Sequence, residues 1–225
     1  MLQVQLFHRP RSRVLSPRTL RLGKSWRGRL FDIGLSALMI VFLAPVIAAT
    51  ALLVYLEDGG PILFSQSRLG FGGKVFRCFK FRSMCVDAEA RLMALLDSSP
   101  SARAEWERDH KLRVDPRITS IGGVLRKLSL DELPQLFNVL IGDMTLVGPR
   151  PIIQAEVWRY GRRFCHYCSV RPGLTGLWQV SGRNDASYRS RVAMDVIYAQ
   201  NRGPLLDIKI LIATVPAVIF SRGSY

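Results

Sequence analysis

The sequence predicts an α+β fold that is mainly helical, with a small β-hairpin or sheet, a re-entrant membrane helix and interfacial amphipathic helices. Three observations predict it. Residues 33–56 are apolar and carry no charge. Residues 62–70 and 74–84 alternate between apolar and polar side chains, as short strands do. Much of the remaining chain has the spacing of short helices. At 225 residues, the chain has room for one folded domain and an appended segment.

The first 29 residues form an arginine-rich arm. They hold eight basic residues and no acidic one, which is more than half of the chain's formal net charge of +15. Because this charge stands directly before an apolar run, it favours anionic membrane lipids over nucleic acid as the partner. A nucleic-acid-binding protein would combine basic residues with exposed aromatic residues or a known recognition motif, and the sequence shows neither.

The apolar run of residues 33–56 is long enough to cross a bilayer as a straight helix of roughly 36 Å. It is too long for a cleavable signal peptide, and a soluble helix of this length normally keeps a polar face. Ala44 and Pro45 stand near its middle, where a proline kinks or breaks a helix. Both a kinked span and a re-entrant hairpin are compatible with that break.

Topology favours the re-entrant form. The basic arm should remain cytoplasmic, so a full span would carry everything after it away from cytoplasmic nucleotides. For a nucleotide-using enzyme, we therefore predict a basic arm over residues 1–29, a re-entrant membrane helix over 30–57 and a catalytic domain over 58–225. That domain would lie on the cytoplasmic face of the membrane.

The rest of the chain predicts short elements. Helices are expected over residues 86–112 with an interruption near Pro100, over 118–127, over 132–141 and over 192–201. The glycine-rich segment 170–183 predicts a loop. Residues 205–220 are again apolar, with Pro216 as a break, and predict an interfacial or core helix. Cys165 and Cys168 have a CxxC spacing, but no second close pair completes a zinc site, so the cysteines are expected to be reduced and incidental.

The strongest chemical signal lies in residues 125–151, where Asp131 and Glu132 are adjacent. Neighbouring carboxylates on a helix point in different directions, which suits one to attack or bind a metal and the other to orient it or shuttle a proton. Helix capping is the competing interpretation, because Ser129 to Glu132 matches a capping box and Asp131 could itself be an N-cap. Pro134 favours Asp131 over Ser129 as the cap. Capping and catalysis are compatible with each other.

Basic residues near turns are candidates for holding phosphate. Lys80 and Arg82 alternate along one segment, so both are expected on one side of a strand. Arg150 stands between two prolines, and Arg183 closes a glycine-rich segment whose backbone can approach a ligand closely. Arginine grips phosphate through two parallel hydrogen bonds, and lysine through a point charge. A solvated or lipid-facing charge is the alternative for each.

At these residues the chain resembles the bacterial sugar transferases, which are monotopic polyprenyl-phosphate phosphoglycosyl transferases. The matching blocks cover most of residues 30–225 in the family's order: FDIGLSALMIVFLAPVI, GGPILFSQSRLG, FKFRSM, DPRIT, LRKLSLDELPQLFNVLIGDMTLVGPRP, RPGLTGLWQVSGRND and DIKILIATVPAV. The segments EWERDHKL, SGRNDASY and IFSRGSY are most similar to the short exopolysaccharide-initiating undecaprenyl-phosphate galactose phosphotransferases. The family's larger members carry additional transmembrane helices ahead of this unit.

The resemblance implies a role for each matching residue. Asp131 is expected to be the nucleophile that forms an aspartyl phosphosugar and a ligand of catalytic Mg²⁺, and Glu132 its dyad partner. The resemblance places Lys80, Arg126 and Arg150 around the diphosphate. It places Arg183 and Asp195 toward the nucleotide or sugar, and Ala44-Pro45 at the membrane helix break. Arg202-Gly203 departs from the tryptophan and serine of many members, which implies a changed membrane contact.

The resemblance also implies the reaction. The expected activity is transfer of a hexose 1-phosphate from a UDP-hexose to undecaprenyl phosphate with release of UMP, galactose being the first choice and glucose the second. A non-catalytic membrane scaffold of a glycan assembly complex is the alternative, but such a protein should have lost the dyad or its basic residues. The sequence leaves the oligomeric state open, and a homo-oligomer is compatible with it.

Overall fold

A computed structural model describes residues 25–109, 112, 114–181 and 187–219. Helices dominate it, as predicted. In chain order the helices and strands are α1 (Trp26–Asp58), β1 (Leu63–Leu69), β2 (Val75–Phe81), α2 (Ala88–Ser98), α3 (Pro100–Asp109), α4 (Ser120–Leu128), α5 (Gln135–Ile141), β3 (Thr145–Val147), α6 (Val157–Tyr160), α7 (Phe164–Cys168), β4 (Gly173–Thr175), α8 (Leu177–Ser181), α9 (Tyr188–Asn201) and α10 (Pro204–Ile219). Short 3₁₀ turns connect several of them.

Helix α1 has 33 residues and, within the described chain, is the one helix long and apolar enough to cross a membrane. Its pattern of burial is the reverse of that of a helix in a soluble protein. Three of its four buried side chains are polar, namely Asp32, Ser36 and Thr50, whereas Phe42 is 81% exposed. A helix that turns polar groups inward and large apolar groups outward is suited to a lipid environment. The helical conformation continues through Ala44 and Pro45, so the helix break predicted there is not observed.

Strands β1 and β2 form the antiparallel hairpin predicted for residues 62–84, with Leu63 opposite Phe81 and Leu69 opposite Val75. The hairpin packs on α5 and the turn before it. A second, parallel pair joins β3 to β4. The largest cluster of buried apolar side chains fills the space between these sheets, α5, α9 and α10, and includes Leu136, Val139 and Met144.

Three predictions about local structure need correction. Residues 170–183 are not simply a loop, because β4 and α8 lie within them. The helix expected from residue 132 begins at Gln135. Helix α10 continues through Pro216, where a break was expected. The interruption near Pro100 is confirmed, since α2 ends at Ser98 and α3 begins at Pro100.

Candidate active site

The two adjacent carboxylates of the sequence meet one lysine at the end of strand β2. Lys80 Nζ lies 2.7 Å from Glu132 Oε1 and 3.3 Å from Asp131 Oδ2. Asp131 is buried, and Glu132 is partly exposed. The Lys80 ammonium is therefore shared by both carboxylates, and its contact with Glu132 is the shorter one.

The buried side-chain amide of Asn138 fixes the position of strand β2 relative to the dyad. The side chain of Asn138 on α5 donates to the Arg77 carbonyl at 2.7 Å and accepts from the Phe79 backbone N–H at 2.9 Å. It therefore pairs with the edge of β2 as a neighbouring strand would. Since Asn138 is fully buried, this contact fixes α5 against the strand directly before Lys80. The sequence analysis did not identify Asn138 as a site residue.

The backbone before the dyad shows that neither carboxylate caps a helix. Ser129 ends α4 with a positive φ of 58°, and the next three residues form a 3₁₀ turn. Helix α5 follows with Pro134 at its N-cap, and neither the turn nor α5 has a side-chain cap bond. The capping interpretation of Ser129 and Asp131 is therefore wrong. The tight turn instead presents Asp131 and Glu132 toward β2.

The environment separates the pKa values of the two carboxyl groups. Burial raises the pKa of Asp131 above its ordinary value, and the neighbouring Glu132 adds to that increase, although Lys80 opposes it. Burial would also raise the pKa of Glu132, but Lys80 and Arg150 outweigh it, so that pKa is lowered. Glu132 thus stays ionised beside Lys80. Asp131 becomes the more basic, and hence the more nucleophilic, carboxylate of the pair.

Arg150 lies at the open side of this cluster. It lines a narrow cleft together with Lys80 and Glu132. Its guanidinium stands 5.7 Å from the ring centre of Trp178, and Arg191 covers the same ring at 4.5 Å. The structure therefore brings Arg150 to the dyad, as predicted. Trp178 and Arg191 are neighbours that the sequence analysis did not single out.

Arg126 lies on the other side of Asp131. Its Nε donates to the Ser83 hydroxyl at 2.9 Å. Burial lowers its pKa, which the charges of Asp131 and Asp115 oppose. Arg126 and Asp131 thus influence each other electrostatically, and this places a third predicted cation at the dyad.

Arg82 lies apart from this cluster. Its guanidinium donates to both carboxylate oxygens of Asp58, at the last residue of α1, and to the carbonyl of Pro61. The expectation that Lys80 and Arg82 lie on one side of a strand is not met, because β2 ends at Phe81 and the two side chains bind different carboxylates. Arg82 instead fastens the end of α1, a structural task. The predicted substrate contact of Arg82 stays a prediction.

Asp195 is buried in the body of the domain. Its carboxylate accepts a 2.6 Å hydrogen bond from the Tyr160 hydroxyl. Burial raises its pKa to about 7, although the bond from Tyr160 lowers it. Its predicted contact with nucleotide or sugar stays a prediction, and the geometry gives it a bond inside the fold. Arg183 lies outside the described residues.

The glycines near Arg150 allow two backbone segments of the protein to lie close together. A Cβ added to Gly173 would lie 2.0 Å from the Gly148 backbone nitrogen, and one added to Gly148 would lie 2.5 Å from the Arg171 carbonyl oxygen. Only glycine permits this approach of β3 to β4. It places the segment that carries Arg150 beside the one that carries Gln179, another residue of the cleft. The side-chain carbonyl oxygen of Gln179 is buried without a protein partner among the described residues.

The donor set at the dyad fits Mg²⁺ in part. In the described part of the chain, no group of three or more His, Cys, Asp or Glu side chains could hold a metal ion. Mg²⁺ sites that handle phosphates commonly use only one or two carboxylates and complete their shell with water and substrate oxygens. Asp131 and Glu132 meet that requirement, so the fit depends on a diphosphate as the remaining ligand.

Comparison with known proteins places this site in a family. A model described as "Bacterial sugar transferase" matches residues 23–221. The chain belongs to this family. It is therefore an enzyme, a sugar transferase, as the sequence resemblance implied.

Relatives of two lengths match. The exopolysaccharide production protein ExoY of Sinorhizobium fredii is 47% identical over 197 residues, which cover 88% of this chain and 87% of that protein. The undecaprenyl-phosphate galactose phosphotransferase of Salmonella typhimurium is 48% identical over 88% of this chain, but over 41% of its own length. The UDP-galactose-lipid carrier transferase of Erwinia amylovora is 48% identical with the same two shares.

Proposed function

We propose that this chain transfers a hexose 1-phosphate from a UDP-hexose to undecaprenyl phosphate and releases UMP. This would be the first membrane step of exopolysaccharide synthesis. The observation that carries the proposal is the shared ion pair of Lys80 with Asp131 and Glu132, in a family member whose relatives include a galactose phosphotransferase and a UDP-galactose transferase by name. Galactose is the first choice of sugar, and glucose the second.

The first step follows from the unequal carboxylates. An oxygen of Asp131 attacks the β-phosphorus of the UDP-sugar, a new O–P bond forms, and the bond from that phosphorus to the bridging oxygen breaks. UMP leaves with the electron pair, and the sugar phosphate stays on Asp131. The raised pKa of Asp131 marks it as the better nucleophile. Glu132, held by Lys80 at 2.7 Å, keeps the lysine beside the reacting phosphate.

Positive charge must offset the repulsion between an anionic nucleophile and an anionic substrate. Lys80, Arg126 and Arg150 surround the dyad and are suited to bind the diphosphate and the departing UMP. Mg²⁺, if held by Asp131, Glu132 and the diphosphate, would add charge stabilisation at the same place. In the second step, an oxygen of undecaprenyl phosphate attacks the same phosphorus. The O–P bond to Asp131 breaks, and the carboxylate is restored without a net proton change.

The covalent intermediate can be tested directly. Incubation with UDP-galactose labelled with ³²P in the β-phosphate, with Mg²⁺ and without lipid acceptor, should label Asp131 and release one UMP per active enzyme. Asp131→Asn should abolish labelling and turnover, because an amide is a poor nucleophile. Since it is close in size to the aspartate and no cap bond is lost, the Tm should change little. Asp97→Asn, on the exposed face of α2, is the matched control and should label normally. Label on another residue would contradict the mechanism.

The sugar is tested separately. UMP release from UDP-galactose or UDP-glucose should far exceed release from UDP-N-acetylglucosamine. Equal turnover of the N-acetyl sugar would contradict the hexose assignment but leave the phosphoglycosyl transfer intact.

Contacts at both ends of α1 support the re-entrant topology. Near its start, Asp32 accepts from the Thr145 hydroxyl at 2.7 Å. Near its end, Glu57 accepts from the Ile121 backbone at 3.0 Å. A straight helix of 33 residues is about 50 Å long, so a span would put these ends on opposite sides of a bilayer. Because both ends contact the same domain, we propose that α1 enters and leaves on the cytoplasmic face.

Cysteine labelling tests this topology. Trp26→Cys and Leu63→Cys replace exposed residues on either side of the apolar segment, in a background without Cys85 and Cys165. With a membrane-impermeant maleimide, both sites should remain unlabelled in intact spheroplasts and react after permeabilisation. Reaction of one site alone in intact spheroplasts would show a complete span.

A further inference from the structure

A second cavity, larger than the cleft at the dyad, lies where α1 begins and α9 passes into α10. Its volume is about 550 Å³. Its lining includes the first turn of α1, strand β3, and the link between α9 and α10. It shares no lining residue with the cleft that contains Lys80, Glu132 and Arg150. None of the residues to which the proposed chemistry gives a role lines this cavity.

The charge of the cavity favours an anion. Arg27, Arg171 and Arg202 line it from three separate segments of the chain, and among the described lining residues Asp207 is the one acidic side chain. Asp207 accepts a 2.8 Å hydrogen bond from the Tyr198 hydroxyl. Three cations against one hydrogen-bonded carboxylate leave an excess of two positive charges. Arginines that line one cavity are suited to bind the oxygens of a phosphate.

The remaining walls are mostly apolar and lie beside exposed apolar surfaces. Phe31 of α1 and Ile208 of α10 line the cavity, and both are also exposed. Leu30 on α1 and Leu205 on α10, next to them in sequence, are exposed as well. A ligand of this cavity therefore has an anionic head and an apolar tail. A soluble nucleotide would leave the apolar walls unused.

We propose that this cavity binds the phosphate headgroup of one acidic glycerophospholipid, with its acyl chains along Phe31 and Ile208. The lipid would be a resident of the enzyme and not a substrate. It would fix the start of α1 to the link between α9 and α10, and so set the depth at which the domain lies in the membrane surface. Negative headgroups attract basic residues at such surfaces.

The test uses the full chain, purified and delipidated in neutral detergent, with dioleoylphosphatidylglycerol or dioleoylphosphatidylcholine as the probe. Native mass spectrometry should find one phosphatidylglycerol retained and little phosphatidylcholine. Arg27→Gln with Arg202→Gln should weaken phosphatidylglycerol binding about 10- to 30-fold, since each basic residue near a headgroup contributes about 1 kcal/mol. Arg171 is left in place because its Nε also donates to the Gly142 carbonyl.

The matched control removes two exposed arginines outside the cavity, Arg162→Gln with Arg163→Gln, and should bind lipid as the wild type does. Equal retention of both lipids, or unchanged binding by the Arg27/Arg202 variant, would overturn the proposal. Displacement by glycerol 3-phosphate would show that the apolar walls are not used. Displacement by undecaprenyl phosphate, with a higher KM for it in the variant, would assign the cavity to the acceptor instead. Covalent labelling of Asp131 is independent of all these outcomes.

Discussion

Lys80 lies near the end of β2 and Arg82 directly follows the strand, yet the two side chains differ in the number of carboxylates they bind. Lys80 shares its single charge between two carboxylates, Asp131 and Glu132. Arg82 faces one carboxylate, Asp58, and binds both of its oxygens. Among directly paired groups, the first set therefore has one carboxylate in excess, which Arg126 and Arg150 offset from farther away, and the second set is neutral.

This difference in charge separates chemistry from structure. A neutral, doubly hydrogen-bonded pair has little capacity left for a ligand and serves to join two elements, here α1 and β2. A cluster with one carboxylate in excess can attract a cation and keeps one carboxylate incompletely stabilised, hence reactive. Burial strengthens that effect at Asp131, whose pKa is raised. The Arg82–Asp58 pair gains no such reactivity, because both oxygens of Asp58 already accept hydrogen bonds from Arg82.

The largest effect should follow loss of Lys80. Lys80→Gln should lower kcat at least about 100-fold, as removal of one charge-stabilising group in an active site commonly does. Because the ammonium lowers the pKa of Asp131, its loss should also move the acid limb of the pH–rate profile to higher pH, where Asp131 ionises later. Steady-state kinetics between pH 5 and pH 9 measure both effects. Lys74→Gln, an exposed lysine of the hairpin turn, should change neither. An unshifted acid limb would show that Asp131 does not control the rate.

Loss of Arg82 should act mainly on stability. Its side chain is 9% exposed and that of Asp58 27%, so the pair lies between a buried and a surface ion pair. Arg82→Gln should destabilise the protein by about 2 kcal/mol and lower the Tm in detergent, with only a moderate loss of turnover. Arg77→Gln, on the same strand with one exposed bond to Ser65, is the control. A large loss of turnover at unchanged Tm would support the prediction that Arg82 contacts substrate.

The smallest effect concerns Asp195, whose carboxylate has no cationic hydrogen-bond partner among the described residues. Burial raises the pKa of Asp195 from its ordinary value of 3.8 to about 7. Between these values the folded protein binds the proton more tightly than the unfolded chain, so this group's stabilising contribution is lost as pH rises from about 4 to about 7. Asp195→Asn keeps an acceptor for Tyr160 and removes that dependence.

Thermal unfolding at pH 5 and pH 8 measures the effect. The Tm of Asp195→Asn relative to wild type should be higher at pH 8 than at pH 5, and turnover at neutral pH should change little. Asp97→Asn should show no such trend. A strongly reduced turnover with unchanged Tm at both pH values would favour the sequence prediction that Asp195 contacts substrate.

Periodic and compositional signals were enough to predict α1, the hairpin and the break near Pro100, and the family resemblance predicted that Asp131, Glu132 and Lys80 belong to one site. Each depends on residues close in the chain: an uncharged apolar run, alternation over seven residues, or adjacent carboxylates in a family motif. Local patterns failed where distant contacts decide the structure. The turn at Ser129 matches a capping box, but packing on β2 places a 3₁₀ turn there instead. The glycines of residues 170–183 predict a loop, yet pairing with β3 makes part of that segment a strand.

By itself, the sequence determined which residues are chemically able to act: two neighbouring carboxylates, a set of cations and an apolar membrane segment. Only the tertiary structure decided which cation meets which carboxylate. Lys80 and Arg82 have similar charge and near-identical positions in sequence, so local physics cannot tell them apart. Their partners lie 51 and 24 residues away, brought close by the packing of α5 and α1. Electrostatic energy depends on distance in space, and the fold alone sets that distance.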